Sequence, residues 1–208
     1  GQLGASLMRQ ASYFGFNAIG YGKEDLDIQH TEDVRAEIKR IHPMAVINTS
    51  AYLSLSDCED HPDIAAVINT SAVARLAKGC RDLGVFFVHY STDYVFDGKK
   101  GVSYVEDDKP CPLQVYGISK YEGEKSAMGA YPEGTLIIRT AGLYGGLTGS
   151  KMKGGNFVLN MLRDAKLRDN IEVGSDQISS TSFSDDVAGG TFKLLGISAQ
   201  GGIYHLIN

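Results

Sequence analysis

Tyr116 and Lys120 stand four residues apart, one helical turn, so on a helix their side chains share a face. That placement suits proton transfer. A phenol titrates at about 10 and is a poor acid or base near neutral pH. An ammonium beside it stabilises the phenolate and lowers that value. Such a phenol can hand a proton to a carbonyl oxygen while hydride reaches the carbon. The same spacing recurs at Tyr121 and Lys125. At 100° per residue, Tyr121 lies about 140° around the helix from Tyr116, so the two pairs cannot serve one cleft. Ser91-Thr92-Asp93 selects the first pair. Alone these three residues read as a turn or cap. Directly after an apolar strand, a hydroxyl there can hydrogen-bond the substrate oxygen that Tyr116 protonates.

The elements that must position these groups follow from hydrophobic pattern. Apolar runs predict strands at Asn17–Tyr21, Ala45–Asn48, Val85–Tyr90, Thr135–Thr140, Ile171–Val173 and Ile203–Ile207. Helices are expected at Leu3–Phe14, Thr31–Ile41, Val115–Ala130, Asn156–Ala165 and Ser184–Leu195. The clearest helical stripe follows Pro62, where Ile64, Val67, Ile68, Ala72, Leu76, Cys80 and Leu83 recur at three- and four-residue intervals. Strand–helix alternation predicts an α/β fold with a doubly wound, Rossmann-like parallel sheet. Residues 1–208 are read as one NAD(P)-binding domain with part of a substrate-binding region. The opening Gly1-Gln-Leu-Gly4 looks like the middle of a motif. The expectation is therefore a chain lacking the first strand.

Ligands in such sheets bind beyond the C-terminal strand ends. The residues there are Gly22-Lys23, Thr49-Ser50-Ala51, Ser91-Thr92-Asp93-Tyr94 and Ala141-Gly142-Leu143-Tyr144. Gly1-x-x-Gly4 ahead of a helix would let the backbone approach a pyrophosphate at the positive helix end; alone, the pair is as well read as a turn. A basic residue after the second strand accommodates a 2′-phosphate, an acidic one a ribose 2′-OH. Lys23 comes first, with Glu24 and Asp25 behind it, so NADPH is expected over NADH.

Composition is that of an ordinary globular domain, with 43% hydrophobic and 22% charged residues over 208. A net charge of −5 argues against a nucleic-acid or anionic-membrane surface. No apolar run approaches the roughly 20 residues of a membrane span. Three scattered cysteines fit reduced thiols, and a cytoplasmic setting is expected. Cys58-x-x-His61 has metal-like spacing but no second pair, so no metal is expected. His89 reads as a satisfied core histidine. Asp57, Glu59 and Asp60 read as a solvated loop and helix cap, and Lys151 and Lys153 as a solvated glycine-rich loop.

His89-Tyr-Ser-Thr-Asp-Tyr-Val-Phe-Asp-Gly98, Pro112-Leu-Gln-Val-Tyr-Gly-Ile-Ser-Lys120 and Glu124-Lys125 together resemble the dTDP-4-dehydrorhamnose reductase family of extended short-chain dehydrogenases. The resemblance runs from Gly1 to Asn208 and takes in Val46–Ala51, Asn156-Phe-Val158, Asp176-Gln177 and Gly202–His205. It implies NAD(P)H-dependent reduction of a nucleotide-linked 4-keto-6-deoxy sugar. By position it implies Thr92, Tyr116 and Lys120 as catalytic residues. Gly1, Gln2, Leu3, Gly4, Lys23, Asp27, Ile28, Thr49, Ser50, Ala51 and Ser91, with Tyr116 and Lys120, would meet the cofactor. Thr92, Tyr94, Gly142 and Asn156 would meet the substrate. A homodimer is compatible with it, and it implies that a C-terminal substrate segment is lacking.

The sequence departs from the family pattern where Arg139-Thr140-Ala141 leads to Gly142 rather than Trp, and where Thr181-Ser182 stands for Pro-Thr. Two further functions share the family's look. One is a non-catalytic NADP-binding regulatory subunit like the methionine adenosyltransferase beta subunit. The other is a sibling sugar-nucleotide epimerase or dehydratase, although a dehydratase would place an acidic pair where Asp93-Tyr94 stands.

Overall fold

The structure is a computed structural model and describes residues 1–145, 155–174 and 178–208. Lys151, Lys153, Asp176 and Gln177 lie outside the described residues. The chain divides into two compact units, where the sequence reads as one domain. Unit 1 comprises Gly1–Ile19, Thr140–Ile197 and Leu206–Asn208; unit 2 comprises Gly20–Arg139 and Ser198–His205.

Unit 2 carries a four-stranded sheet. Its strands are β1 (Ala45–Asn48), β2 (Phe86–Thr92), β3 (Thr135–Thr140) and, numbered last in the chain, β6 (Gly202–His205). Their spatial order is β1-β2-β3-β6. β1 runs parallel to β2 with Asn48 opposite His89, and β3 runs parallel to β6 with Arg139 opposite His205. The helices of this unit are α2 (Thr31–Ile41), α3 (Leu55–Asp60), α4 (Pro62–Ala66), α5 (Ala72–Asp82) and α6 (Val115–Ala130). Val34 and Ile38 of α2, Val73, Leu76, Ala77 and Cys80 of α5, and Ala127 of α6 close over Phe87 and Ile137 of the sheet. Their three- and four-residue spacing is the stripe that makes each helix amphipathic.

Unit 1 contains α1 (Gln2–Gln10), β4 (Gly142–Tyr144), α7 (Phe157–Leu167), β5 (Thr181–Phe183) and α8 (Ser184–Gly196). β4 and β5 pair in parallel, Gly142 opposite Thr181. α1 buries Leu3, Ser6 and Leu7 and packs on α8, where the Ser6 hydroxyl meets that of Ser184 at 3.0 Å. Phe14 and Phe16 stack on Phe192.

Most expected elements form, several with the expected bounds. Two expected strands do not. Asn17–Tyr21 and Ile171–Val173 have no strand assignment, and Ile19, Tyr21 and Val173 are exposed. A strand exists through its ladder. Neither segment joins a ladder among the described residues. Two elements differ from expectation. The acid-rich stretch expected as a loop is α3, capped by Ser54 Oγ, which accepts from Asp57 N. The long helix after Pro62 is interrupted by a π-turn at Val67–Ser71 before α5 continues.

That turn explains how α6 can sit so close. Asn69 on the π-turn donates from Nδ2 to Tyr52 O (2.9 Å) and Ser119 Oγ (3.0 Å), and its Oδ1 accepts from Tyr52 N (2.8 Å). Thr70 Oγ1 donates to Ser119 O (2.8 Å). A Cβ on Gly123 would overlap the Asn69 carbonyl oxygen, and one on Gly117 the Tyr94 carbonyl oxygen. Both obstacles are backbone and cannot rotate away. Gly129, on the same helix, has nothing within 4 Å of its Cβ position. Chemical denaturation should therefore show Gly117→Ala and Gly123→Ala each destabilised by about 1–3 kcal/mol. Gly129→Ala should be stabilised by up to ~1 kcal/mol. Equal effects at all three would refute close approach as the reason for the two glycines.

Candidate functional site

In unit 2 the strand β2 ends on Ser91-Thr92, and a 3-10 turn, Asp93–Val95, follows at once. Thr92 caps that turn: its Oγ1 accepts from Tyr94 N (3.2 Å) and donates to Asp93 Oδ1 (3.1 Å). α6 packs on β2 and on this turn, which brings Tyr116 beside Thr92. The Thr92 side chain stands next to the Tyr116 phenol and acts to lower its titration. Tyr94 sets its ring edge-on to Tyr116, centroids 5.8 Å apart. The start of α6 is held from α3, where Glu59 Oε1 accepts from Val115 N at 2.9 Å. Glu59 is thus a tether and not a merely solvated acid.

Tyr116, Lys120 and Glu124 lie one turn apart in sequence along α6. Lys120 is buried, its Nζ donating to Tyr90 O at 2.6 Å and lying 3.1 Å from His89 Nε2. Glu124 forms a two-pronged ion pair with Arg139 of β3, at 3.0 and 2.7 Å, with both side chains only 2% exposed. Burial brings Lys120 down to about 8, against the opposing pull of the Glu124 charge. Burial also pushes the Tyr116 phenol up, and the Asp93 charge adds to that rise, with the Thr92 side chain working the other way. The expected lowering of the phenol by the Lys120 ammonium is thus not what this arrangement gives, since Nζ is occupied on the sheet side. Asp93 is raised, mainly by burial.

The competing pair lies elsewhere. Lys125 Nζ sits 4.9 Å over the Tyr121 ring and donates to Glu122 Oε1 at 2.6 Å, an exposed arrangement.

The remaining expected residues fall into two groups. In unit 2, Thr49, Ser50 and Ala51 follow β1, and Ser50 N donates to Asn48 Oδ1 at 3.0 Å. Asp27 Oδ1 accepts from Gln29 N at 2.9 Å, a bond that holds its carboxyl below the usual range. Ile28 packs on the core between α2 and α5, and Lys23 is exposed in a turn. Ser91 is buried with no partner for its hydroxyl. In unit 1, Gly1 begins α1, and Asn156 caps α7 by accepting from Leu159 N at 2.9 Å. Asn156 Nδ2 also donates to Gln2 Oε1 at 3.3 Å. Gly142 opens β4. His89, Asn48 and Asn69 are the polar side chains around α6 that sequence spacing did not reveal as a group, because each comes from a different element.

Features of each unit suit a dinucleotide. The first turn of α1 has no acidic residue and no side-chain cap, and the Gln2 side-chain nitrogen is buried without a partner. A helix start with no side-chain cap and no negative charge can receive an anion. The unpartnered Ser91 hydroxyl is a second waiting polar group, in unit 2.

The chain is similar to known proteins along its whole length. A family model described as the RmlD substrate binding domain matches residues 1–208. The chain is 33% identical to dTDP-4-dehydrorhamnose reductase of Escherichia coli, over 100% of this chain and 69% of that protein. It is 37% identical to the spore coat polysaccharide biosynthesis protein SpsK of Bacillus subtilis, over 100% of this chain and 70% of that one. Among solved structures, dTDP-4-dehydrorhamnose reductase of Bacillus anthracis in complex with NADP superposes with a TM-score of 0.92 at 33% identity. That match covers 100% of this chain and 71% of the other. The fold is accordingly the expected Rossmann-like α/β type, truncated relative to these relatives. No helix among the described residues is long and apolar enough to cross a membrane.

The burial of Lys120 has a consequence for stability. Its value is about 8 folded and 10.5 by the ordinary reference. Between those values the unfolded chain holds a proton that the folded chain has released, so stability rises with pH across that window. Below pH 8 the full cost of burying the ammonium is present. Denaturation of parent and Lys120→Met side by side should show the parent gaining on the variant from pH 8 to 10.5. Parallel curves would refute a depressed Lys120.

Proposed function

This chain belongs to the RmlD substrate binding domain family, and on that basis we propose that it is an NAD(P)-dependent oxidoreductase reducing a nucleotide-linked 4-keto-6-deoxy sugar. The observation that carries the mechanism is the packing of α6 on the end of β2 and the turn after it, which sets Tyr116 beside Thr92 and Tyr94, with Lys120 one turn on. Thr92 would hold the sugar's carbonyl oxygen, and Tyr116 would give it a proton. A phenol raised by burial keeps that proton at neutral pH, which suits a donor in the reductive direction. Lys120, whose proton is loosely held, would balance the charge left on the phenol by taking up a proton as the phenol gives up its own. A bound nicotinamide dinucleotide supplies the hydride.

The residues proposed for the cofactor are Gly1, Gln2, Leu3 and Gly4 at the start of α1, with Lys23, Asp27, Ile28, Thr49, Ser50, Ala51, Ser91, Tyr116 and Lys120 in unit 2. Tyr94 would line the sugar beside Tyr116. Gly142 and Asn156 are proposed on the substrate side. The Asn156 side chain already caps α7, so its contribution there would come through placing that helix. The dTDP-4-dehydrorhamnose reductases named above support a nucleotide sugar as substrate.

Turnover of dTDP-4-dehydrorhamnose with NADPH tests this reading. Tyr116→Phe keeps the ring and removes the donor, so the rate should fall about 10²- to 10⁴-fold with cofactor affinity little changed. Tyr121→Phe should turn over like the parent. A collapse at Tyr121 with Tyr116 unaffected would reverse the assignment. Binding of NADPH with no turnover on any nucleotide sugar would favour the regulatory-subunit alternative.

Cofactor choice is a separate expectation. NADPH should bind more tightly than NADH, with Lys23 the nearest candidate for the 2′-phosphate. Fluorescence titration of both reduced cofactors into parent and Lys23→Glu should show the preference narrowing in the variant. Tighter NADH binding by the parent would overturn it.

A further inference from the structure

Lys120 does not rest against an ordinary apolar wall. Its Nζ faces His89, which the mechanism above does not use, and His89 in turn faces Asn48. The hydrogen count along this chain is fixed from one end. Ser50 N–H can only donate, and it points at Asn48 Oδ1, 3.0 Å away. The Asn48 amide is thereby oriented with Nδ2 toward the ring, 3.1 Å from His89 Nδ1. An amide nitrogen offers only hydrogens, so Nδ1 must be bare to accept one. A neutral imidazole with a bare Nδ1 carries its proton on Nε2, the nitrogen that faces Lys120 Nζ at 3.1 Å.

An ammonium has three donors and no lone pair. It cannot accept from Nε2–H; an amine can, while still donating to Tyr90 O. We propose that His89 is a positioning residue for Lys120, locked by Asn48 in the tautomer that presents a donor to Nζ, and that it thereby favours the uncharged amine. Protonating Nζ would require one of two losses. The ring could move its own proton to Nδ1, where it would meet the Asn48 amide hydrogens. Or the Asn48 amide could turn over and abandon Ser50 N–H. Charging the ring is no escape, because His89 is completely buried and its burial and the neighbouring lysine both oppose a second proton.

The ionisable groups nearby do not supply another partner for Nζ. Glu124, one turn along α6, favours the charged amine but is engaged by Arg139 of β3. Tyr116 precedes Lys120 by a turn and stands beside Thr92. Asp93 follows β2 and accepts from Thr92. On α5, which packs against β2 and α6, the buried ionisable side chain is Cys80, a thiol pushed up to about 12. β1 contributes only the Asn48 amide.

This inference deepens the proposed function and rests on it only in giving Lys120 a part in the reaction. The test reads protons directly, in full-length protein labelled with ¹⁵N-histidine and ¹³Cε-lysine. In the parent, the His89 ring should show a bare Nδ1 and a protonated Nε2. His89→Gln can offer Oε1 to an ammonium. Asn48→Leu frees Nδ1 to take the ring proton, which leaves Nε2 able to accept. In both variants the Lys120 ¹³Cε signal, identified by its loss in Lys120→Met, should titrate about one pH unit or more above the parent. A protonated Nδ1 in the parent overturns the proposal, whether or not either variant folds. So does an unmoved Lys120 titration in a folded variant, which a merely space-filling histidine would give. Should Lys120 titrate as expected while Tyr116→Phe keeps full turnover, the reductase mechanism fails and this inference stands.

Discussion

The placement of α6 depends on one buried ion pair. The Arg139 guanidinium grips both oxygens of Glu124 from the adjoining strand, and neither side chain reaches solvent. A buried pair of this kind contributes little net stability over an apolar contact, but losing one partner strands the other at a cost of about 3–5 kcal/mol. The two-pronged geometry also fixes direction, since a fork meets a carboxylate in one plane. With Glu124 pinned, Lys120 and Tyr116 are fixed one and two turns back along the same helix. Arg139 is itself held from the other side, its guanidinium lying 5.1 Å over the Phe96 ring, which stacks on Tyr104.

The same helix brings a second cation into the interior, and the two are treated differently. Arg139 has a carboxylate to itself. Lys120 has a carbonyl, an imidazole and only the distant influence of Glu124, so desolvation prevails and its proton is loosely held. Unit 2 therefore contains one permanent buried cation and one conditional one. The permanent charge suits a structural fastener, and the conditional charge suits a group that must respond to what binds beside it.

Much of this was legible in the sequence where the signal is local. Thr31–Ile41, Ala45–Asn48, Val115–Ala130 and Thr135–Thr140 form with the bounds their apolar periodicity gives. Thr92 and Tyr116 meet as strand-end reasoning requires. The failures are of two kinds. β4 and β5 are three residues each, too short for any period to register, while Asn17–Tyr21 has the composition of a strand without a ladder to join. The contacts of Lys120 were illegible for a different reason. His89 looked like a satisfied core histidine, and it is one, but nothing in its spacing says that the group opposite is a lysine 31 positions away. Asn48 and Asn69 are likewise given their parts by topology and not by neighbours in the chain.

The π-turn at Val67–Ser71 fixes chain length as well as shape. Such a turn holds one residue more than the α-turn it replaces. Deleting any one residue there would leave a regular helix with every former apolar contact still present in composition. The helix before and after would keep its direction, since the wide turn takes up the extra residue within itself, but the local widening would be lost. Asn69 could then no longer face both Tyr52 and Ser119, and the groove into which Gly123 fits would close. Substitution can change this helix gradually, but a change in its length cannot. Evolution of this segment is thereby confined to exchanges of side chain, and insertions and deletions are left to the loops.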